Sequence, residues 1–451
     1  MTVDEGISMD SGVPVVVVGA GPAGLAAAAH LVERALDPVV LEAGDQVGAA
    51  VRQWRHVRLF SPWGELIDDA AARLLESAGW HRPDPASYPT GEDWAERYLE
   101  SLAKTLGERV RLGTRVVGVA RRGRDRIVDA GRESEPLTVH TLGADGIEGR
   151  ITARAVIDAS GTWGTPNPLG GDGLPAIGEH AAADRITYRV PDLADERVAS
   201  RYRGRHVAVV GSGHSALTAL VTLTSLSPDS STHVTWVLRR SQVGNVFGGG
   251  QADALAARGA LGRRARAAVE DGHVDVVTGF RTAAVERRNG TLTLVSDDNR
   301  RVDDLDEVVA LTGFRPDLSW LSEIRLDLDA SLQAPVALAP LIDPNVHSCG
   351  SVPPHGAAEL AHPDQGFYLV GMKSYGRAPT FLALTGYEQV RSVVAEIAGD
   401  REAAARVDLQ LPETGVCGGS GLFDESGQAQ SDGCCAAPQV IALTAPSLIT
   451  P

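Results

Sequence analysis

The sequence predicts an α/β protein with two Rossmann-like dinucleotide-binding domains, one inserted in the other, and a flexible C-terminal tail. Three observations carry that prediction. Two glycine-rich turns, Gly19-Ala20-Gly21-Pro22-Ala23-Gly24 and Gly211-Ser212-Gly213-His214-Ser215-Ala216, each stand between an apolar run and an alanine- and leucine-rich segment. Each is followed by a second short apolar strand that ends in charge, Glu42 in the first case and Arg239-Arg240 in the second. Two further apolar strands ending in small residues and glycine, at 155–161 and 308–313, bracket the second turn. At 451 residues the chain is long enough for two or more domains with sizeable cores.

A single G-x-G-x-x-G is weak, because glycine-rich turns are common, and its context gives it weight. Pro14-Val15-Val16-Val17-Val18 reads as a strand buried on both faces, and Leu25-Ala26-Ala27-Ala28-Ala29-His30-Leu31-Val32 as the helix after it. In such a unit Gly19 makes the turn, Gly21 lets the backbone approach a pyrophosphate, and Gly24 lets helix and strand pack closely. The helix start supplies amide donors, from Ala23 onward, and the positive end of a dipole. Pro38-Val39-Val40-Leu41 is the next strand; Glu42, followed by Ala43, lies where ribose hydroxyls need an acceptor. The competing reading is a structural glycine turn.

The second unit has the same grammar, with His206-Val207-Ala208-Val209-Val210 as strand and Ala216-Leu217-Thr218-Ala219-Leu220-Val221 as helix. Its last glycine is replaced by Ala216, which the pattern allows. After Val234-Thr235-Trp236-Val237-Leu238 come Arg239 and Arg240, opposite in sign to Glu42. A guanidinium there pairs with a 2′-phosphate, where a carboxylate would repel it, so NADPH is expected rather than NADH. The plainer alternative is a pair of solvated strand-end charges.

The net charge of −16 argues against nucleic acid and anionic membrane as partners. No apolar stretch reaches spanning length and the N-terminus is acidic, unlike a signal peptide, so a cytoplasmic protein is expected. The four cysteines, Cys349, Cys417, Cys434 and Cys435, are too few for a disulfide framework. The expected organisation is a disordered 1–11, a first nucleotide domain from 12–190, a second from 191–304, the first resuming over 305–410, and a cysteine-containing low-complexity tail at 411–451. A Trp- and Arg-rich stretch, 48–63, reads either as the lining of a cofactor and substrate pocket or as Trp packed on Arg. A helix from about 380 to 398, entered through Thr385-Gly386, could direct its dipole at the first cofactor; the alternative is an ordinary packing helix.

Gly19 to Gly24, Glu42, Asp158-Ala159-Ser160-Gly161, Gly211 to Ala216 with Arg239, and Leu311-Thr312-Gly313-Phe314 together resemble the two-dinucleotide flavoprotein superfamily. Within it they are most similar to the flavin-containing monooxygenases, over roughly residues 12 to 400. The resemblance implies FAD at the first cradle, on Gly19, Gly21, Pro22, Ala23, Gly24, Glu42, Ala43, Trp54, Gly161, Gly371 and Thr385. It implies NADPH at the second, on Gly211, Ser212, Gly213, His214, Ser215, Arg239, Arg240 and Gly313. The monooxygenase signature F-x-G-x-x-x-H-x-x-x-[YWF], expected before the second cradle, is missing: the stretch reads Arg185-Ile186-Thr187-Tyr188-Arg189-Val190-Pro191-Asp192. More narrowly, 211–216, 345–350 and 371–380 resemble flavin monooxygenases encoded in bacterial arsenic-resistance clusters.

That resemblance implies NADPH reducing FAD, O₂ as co-substrate, and transfer of oxygen to a soft heteroatom of a small molecule, a trivalent arsenical among them. Lys373, Tyr375, Arg377 and Cys349 are the candidate catalytic residues, with Trp54 and Arg55 opposite; each is equally readable as an ordinary core or surface residue. Cys417 and the vicinal Cys434-Cys435 suggest a site for a thiophilic ion, and with it a flavin-dependent reductase acting through tail thiols. The bland alternative is incidental thiols in a disordered tail. A flavin-binding sensor without turnover is the third class. His347, Cys349, His355 and His362 read as satisfied side chains before they read as metal ligands. A homodimer is left open.

Overall fold

The computed structural model describes residues 12–226, 231–250, 253, 255–346, 352–379 and 381–409. The N-terminal segment 1–11, the tail 411–451, and with them Cys349, Cys417, Cys434, Cys435 and His347, lie outside the described residues. The first unit runs β1 (Val15–Val18), helix α1 (Pro22–Glu33), β2 (Pro38–Leu41) and β3 (Val110–Arg111). A three-stranded antiparallel sheet follows, β4 (Thr114–Arg121), β5 (Leu137–Gly143) and β6 (Glu148–Ala153), and then β7 (Ala155–Asp158). The second unit runs β8 (Ile186–Thr187), β9 (His206–Val210), α2 (His214–Thr224), β10 (His233–Val237), α3 (Ala256–Glu270) and β11 (Asp275–Val277). Strands β12 (Thr282–Arg288), β13 (Thr291–Ser296) and β14 (Arg301–Leu305) form a second antiparallel sheet; β15 (Glu307–Ala310), β16 (Phe367–Leu369) and helix α4 (Ala383–Ile397) close the order.

Two parallel five-stranded sheets result, β16-β7-β1-β2-β3 and β11-β10-β9-β15-β8. Their central strands are covered on both faces, which is why they are unbroken apolar runs. All four valines of β1 are buried, and Val18 is in register with Leu41 on one side and Asp158 on the other.

The strand expected to return the chain to the first domain near 305 belongs instead to the second sheet. β15 pairs with β9, Val309 beside Val209, and β8 pairs with β15 from the other side. The second sheet therefore draws strands from both sides of 191–304. The two small-residue strand ends, at 155–161 and 308–313, are alike as sequence, and each packs on a glycine turn; only the pairing assigns a strand to its sheet.

The chain crosses between the sheets twice, and the two crossings are bonded to each other. Asn167 N–H donates to the Gly313 carbonyl (2.9 Å), Asn167 Nδ2 to the Thr312 carbonyl (3.0 Å), and Arg315 Nε to Asn167 Oδ1 (2.8 Å). The 364–365 segment before β16 is clamped electrostatically. Asp364 accepts from Arg121 Nε (3.2 Å), from Arg132 Nε and Nη2 (2.9 and 2.8 Å) and from the Arg325 amide (2.7 Å), with all three side chains of the ion cluster buried. No described helix is long and apolar enough to cross a membrane.

Removing one partner from a buried ion cluster strands the others in low dielectric. Asp364→Ala, which leaves two buried guanidinium groups without their carboxylate, is expected to cost about 3–5 kcal/mol of stability, read from the denaturant midpoint at constant slope.

Candidate functional site

At the first cradle the three glycines have three different physical reasons. Gly19 holds φ +97° and a Cβ on it would stand 2.9 Å from the Ala159 carbonyl oxygen, so the turn and the end of β7 exclude a side chain. A Cβ on Gly24 would collide with the Gly19 carbonyl oxygen. Nothing lies within 4 Å of where a Cβ on Gly21 would be. Packing therefore demands glycine at 19 and 24, whereas the bare face at 21 is space for a ligand. Gly21 is also the N-cap of α1 and offers no side-chain cap, which leaves the first amides of the helix for an anion.

Glu42, at the end of β2, accepts from the Ala20 amide at Oε2 and the Gly44 amide at Oε1, both 2.8 Å. It ties the cradle turn to the next loop and keeps lone pairs for a further donor; Ala43 beside it is exposed. Beyond this loop opens a cleft of about 410 Å³ lined by Gly44, Gln46, Ala49, Arg52, Gln53 and Arg55 among others. Trp54 does not share in that lining: it packs on Trp94 (centroids 6.3 Å apart) and over Gly91, where a Cβ would stand 2.8 Å from its ring.

The C-terminal elements close over the start of α1. Gly371, at φ +65°, lies so near that a Cβ would stand 3.2 Å from the Ala23 methyl, and its amide donates to Gln389 Oε1 on α4 (2.8 Å). Thr385 is buried in the first turn of α4. Gly161, also left-handed at φ +68°, lies in the loop that follows β7.

The proposed catalytic trio fans apart. Lys373 is 1 % exposed; its Nζ stands 2.7 Å from Asp158 Oδ2, 3.1 Å from Ser160 Oγ and 4.5 Å from the Trp320 ring centroid. Asp158 Oδ1 accepts from the Ser160 amide (3.0 Å), so this buried pair braces the strand-end loop that lies on Gly19. Tyr375 is buried, with its phenol pushed up by burial. Arg377 is exposed and donates to Gln333 Oε1 (2.8 Å). Asp158 was named only as part of a motif by sequence reasoning; its signal was a lone carboxylate closing an apolar strand.

His355 and His362 are buried core residues, His355 engaged at both ring nitrogens and His362 at Nδ1 alone. His355 Nδ1 lies 3.0 Å from the Pro353 carbonyl and Nε2 2.9 Å from Gln389 Nε2, the pattern of a neutral ring protonated at Nδ1, and burial lowers its pKa. His362 accepts from the Asp327 amide at Nδ1 (3.3 Å), and burial pushes it down to about 4. Among the described residues no three His, Cys, Asp or Glu groups are placed to hold a metal ion.

The second cradle repeats the first. Gly211 holds φ +134° and a Cβ there would collide with the Leu311 carbonyl oxygen, as Gly19 would with Ala159; Gly213, like Gly21, has nothing within 4 Å. Ala216 is fully buried in the place of Gly24. His214 is the first residue of α2 and half-buried, its pKa lowered by burial and by the Arg258 guanidinium; Ser212 is half-buried and Ser215 exposed. Arg239 is exposed just past β10, with Nη1 3.4 Å from the Gly171 carbonyl, and Arg240 is half-buried. Gly313 holds φ +93° against Asn167.

With this geometry in hand, known proteins can be set beside the chain. The model of the family described as pyridine nucleotide-disulphide oxidoreductase matches residues 16–338. The chain is 28 % identical over 165 residues to a digeranylgeranylglycerophospholipid reductase of Methanosarcina mazei, 32 % of this chain and 40 % of that protein. It thus spans less than half of the length of that relative. It is 27 % identical over 319 residues to a ferredoxin–NADP reductase of Ignicoccus hospitalis, 69 % of this chain and 81 % of the other. Among solved structures, a bacillithiol disulfide reductase of Bacillus cereus superposes with a TM-score of 0.63 at 19 % identity, covering 86 % of this chain and 99 % of its own. A flavin-containing monooxygenase of Stenotrophomonas maltophilia does so with a TM-score of 0.52 at 22 % identity, covering 87 % and 99 %. Likeness at these identities shows the fold.

The glycines separate under mutation. Gly21→Ala is expected to leave the melting temperature of the cofactor-free protein unchanged while lowering the flavin retained on purification by about tenfold, or 1.4 kcal/mol of binding. Gly24→Ala is expected to lower both, because its methyl group must displace the turn itself.

Proposed function

The chain belongs to the pyridine nucleotide-disulphide oxidoreductase family, and from that premise we propose that it is an NADPH-dependent FAD monooxygenase oxidising a soft heteroatom of a small molecule, with trivalent arsenicals as candidate substrates. One oxygen atom of O₂ enters the product and the other leaves as water, with NADPH and a proton supplying the two electrons and the hydrogens. The observation that carries this reading is where the thiols are. All four cysteines stand at 349 or later, and neither cradle nor the strands around it contains one. A dithiol beside the first cradle, which would take electrons from the flavin to a disulfide, is not encoded, which favours O₂ over a cradle-side disulfide as the acceptor.

The residues fit both nucleotides. Each cradle has one glycine face with no neighbour within 4 Å, Gly21 and Gly213, next to a helix start without a side-chain cap. Bound FAD supplies hydride acceptance and, once reduced, the activation of O₂. The chain's own part is to bind and orient. The α1 amides and dipole would hold the first pyrophosphate, Glu42 the first ribose, and the start of α4 at Thr385 would balance negative charge on the reduced ring. Arg239 and Arg240 would take the 2′-phosphate of the second nucleotide. Lys373 acts at one remove, through Asp158 and the loop on Gly19.

A second reading, a reductase handling a thiophilic ion or a disulfide, is favoured by the vicinal Cys434-Cys435 with Cys417. The two separate cleanly. Oxygen consumption that depends on substrate and matches the oxygenated product mole for mole supports the monooxygenase. Anaerobic NADPH oxidation coupled to a thiol or metal acceptor, and lost in the Cys434→Ser, Cys435→Ser double variant, supports the reductase.

Arg239→Ala is expected to raise KM for NADPH by about tenfold or more and KM for NADH by less than about twofold in steady-state assays. Equal rises for both would remove the 2′-phosphate assignment.

A further inference from the structure

The segment from Gln53 to Phe60 runs from one cradle to the other and is held at three points. At its start Gln53 and Arg55 line the first cleft, and Gln53 Oε1 accepts from the indole Nε1 of Trp163 (2.9 Å). That indole is stacked on Phe314 (4.7 Å, 29°) where the two crossing strands pair. In the middle, Arg55 Nε and His56 Nδ1 stand 3.9 and 3.8 Å from Asp192 Oδ2, just before the short helix Glu196–Tyr202 that leads into β9. At its end the Phe60 ring meets the His214 imidazole edge-on (5.4 Å, 66°) and packs at the margin of the second domain's apolar core. His214 is a residue of the second cradle itself.

The paired crossings form one narrow ribbon between the domains, and a single joint fixes their relative rotation less firmly than two separated ones. A contact away from the ribbon removes that freedom. Phe60 is such a contact, and it falls on the helix start where a pyrophosphate would sit. We propose that Phe60 is a positioning residue: seated on His214, it registers a nucleotide in the second cradle against the first cleft, so that binding at either cradle tightens the other. This rests on the two-nucleotide reading of the site. Coupling between binding sites is reciprocal, so NADP⁺ must hold FAD in place by the same factor as FAD favours NADP⁺.

The test uses the full-length holoenzyme and NADP⁺ as the probe. FAD release is followed by recovery of flavin fluorescence, with and without saturating NADP⁺. In the wild type NADP⁺ is expected to slow release by about threefold to tenfold, the range of one aromatic contact; in Phe60→Ala the two rates coincide, and Phe60→Leu restores most of the difference. Anaerobic reduction of the bound flavin at saturating NADPH is expected to slow by about tenfold in Phe60→Ala at unchanged flavin content. Wild-type coupling and reduction persisting in Phe60→Ala would overturn the proposal, as would a loss shared by Phe60→Leu together with a fall in melting temperature. A wild-type holoenzyme that takes no electrons from NADPH would overturn the two-nucleotide reading instead.

Discussion

Backbone must approach backbone at the carboxyl edge of each parallel sheet, and the rest of the structure follows from that contact. At the first cradle the Ala159 carbonyl, and at the second the Leu311 carbonyl, occupy the space where a side chain on Gly19 or Gly211 would begin. Each glycine turn is thus pinned by the backbone carbonyl at the end of a neighbouring strand, which leaves no room for a side chain on the turn itself. With the turn pinned, the helix after it is aimed, and its uncapped amides face a bare surface.

Polar groups brought this close to the core need partners, and the carboxylates at the joints find them. Asp158 sits between β1 and β16 at the sheet edge, where an unpaired carboxylate would be costly; Lys373 and the Ser160 amide answer it. Glu42 is answered by two amides and Asp364 by two arginines. The Lys373, Ala20 and arginine partners join segments distant in sequence, and each lies at a joint: strand end to cradle, cradle to cleft, meander to closing strand. Lys373 is therefore better understood as part of the frame than as a reacting group; Tyr375 ends the same 3₁₀ turn, and Arg377 lies beyond it past Gly376.

Much of the fold was legible in the sequence. The two cradles, their strands and helices, and the closing helix came from apolar period and glycine spacing, signals that are local and written in consecutive residues. The sheet membership of β15 was not legible, since its sequence is a near copy of the β7 end and both obey the same steric rule. The site was legible in its nucleotide turns and much less so in its side chains. Trp54, read as lining for a cofactor, turns to Trp94, while Gln53 and Arg55 on either side of it line the cleft. Phe60 was legible only as part of the 48–63 stretch, and its place against His214 depends on how the two domains stand together.

By itself, then, the sequence determined which segments bend, which are buried on both faces, and which charge follows each second strand, because these are demands that each stretch of chain makes on its own residues. Tertiary structure alone decided which strand lies beside which turn, that Lys373 is answered by Asp158, and that a loop of the first domain rests on the cradle of the second. Those outcomes depend on distances between residues that have no relation along the chain, and they are settled only when burial of every apolar face and pairing of every buried charge are satisfied together.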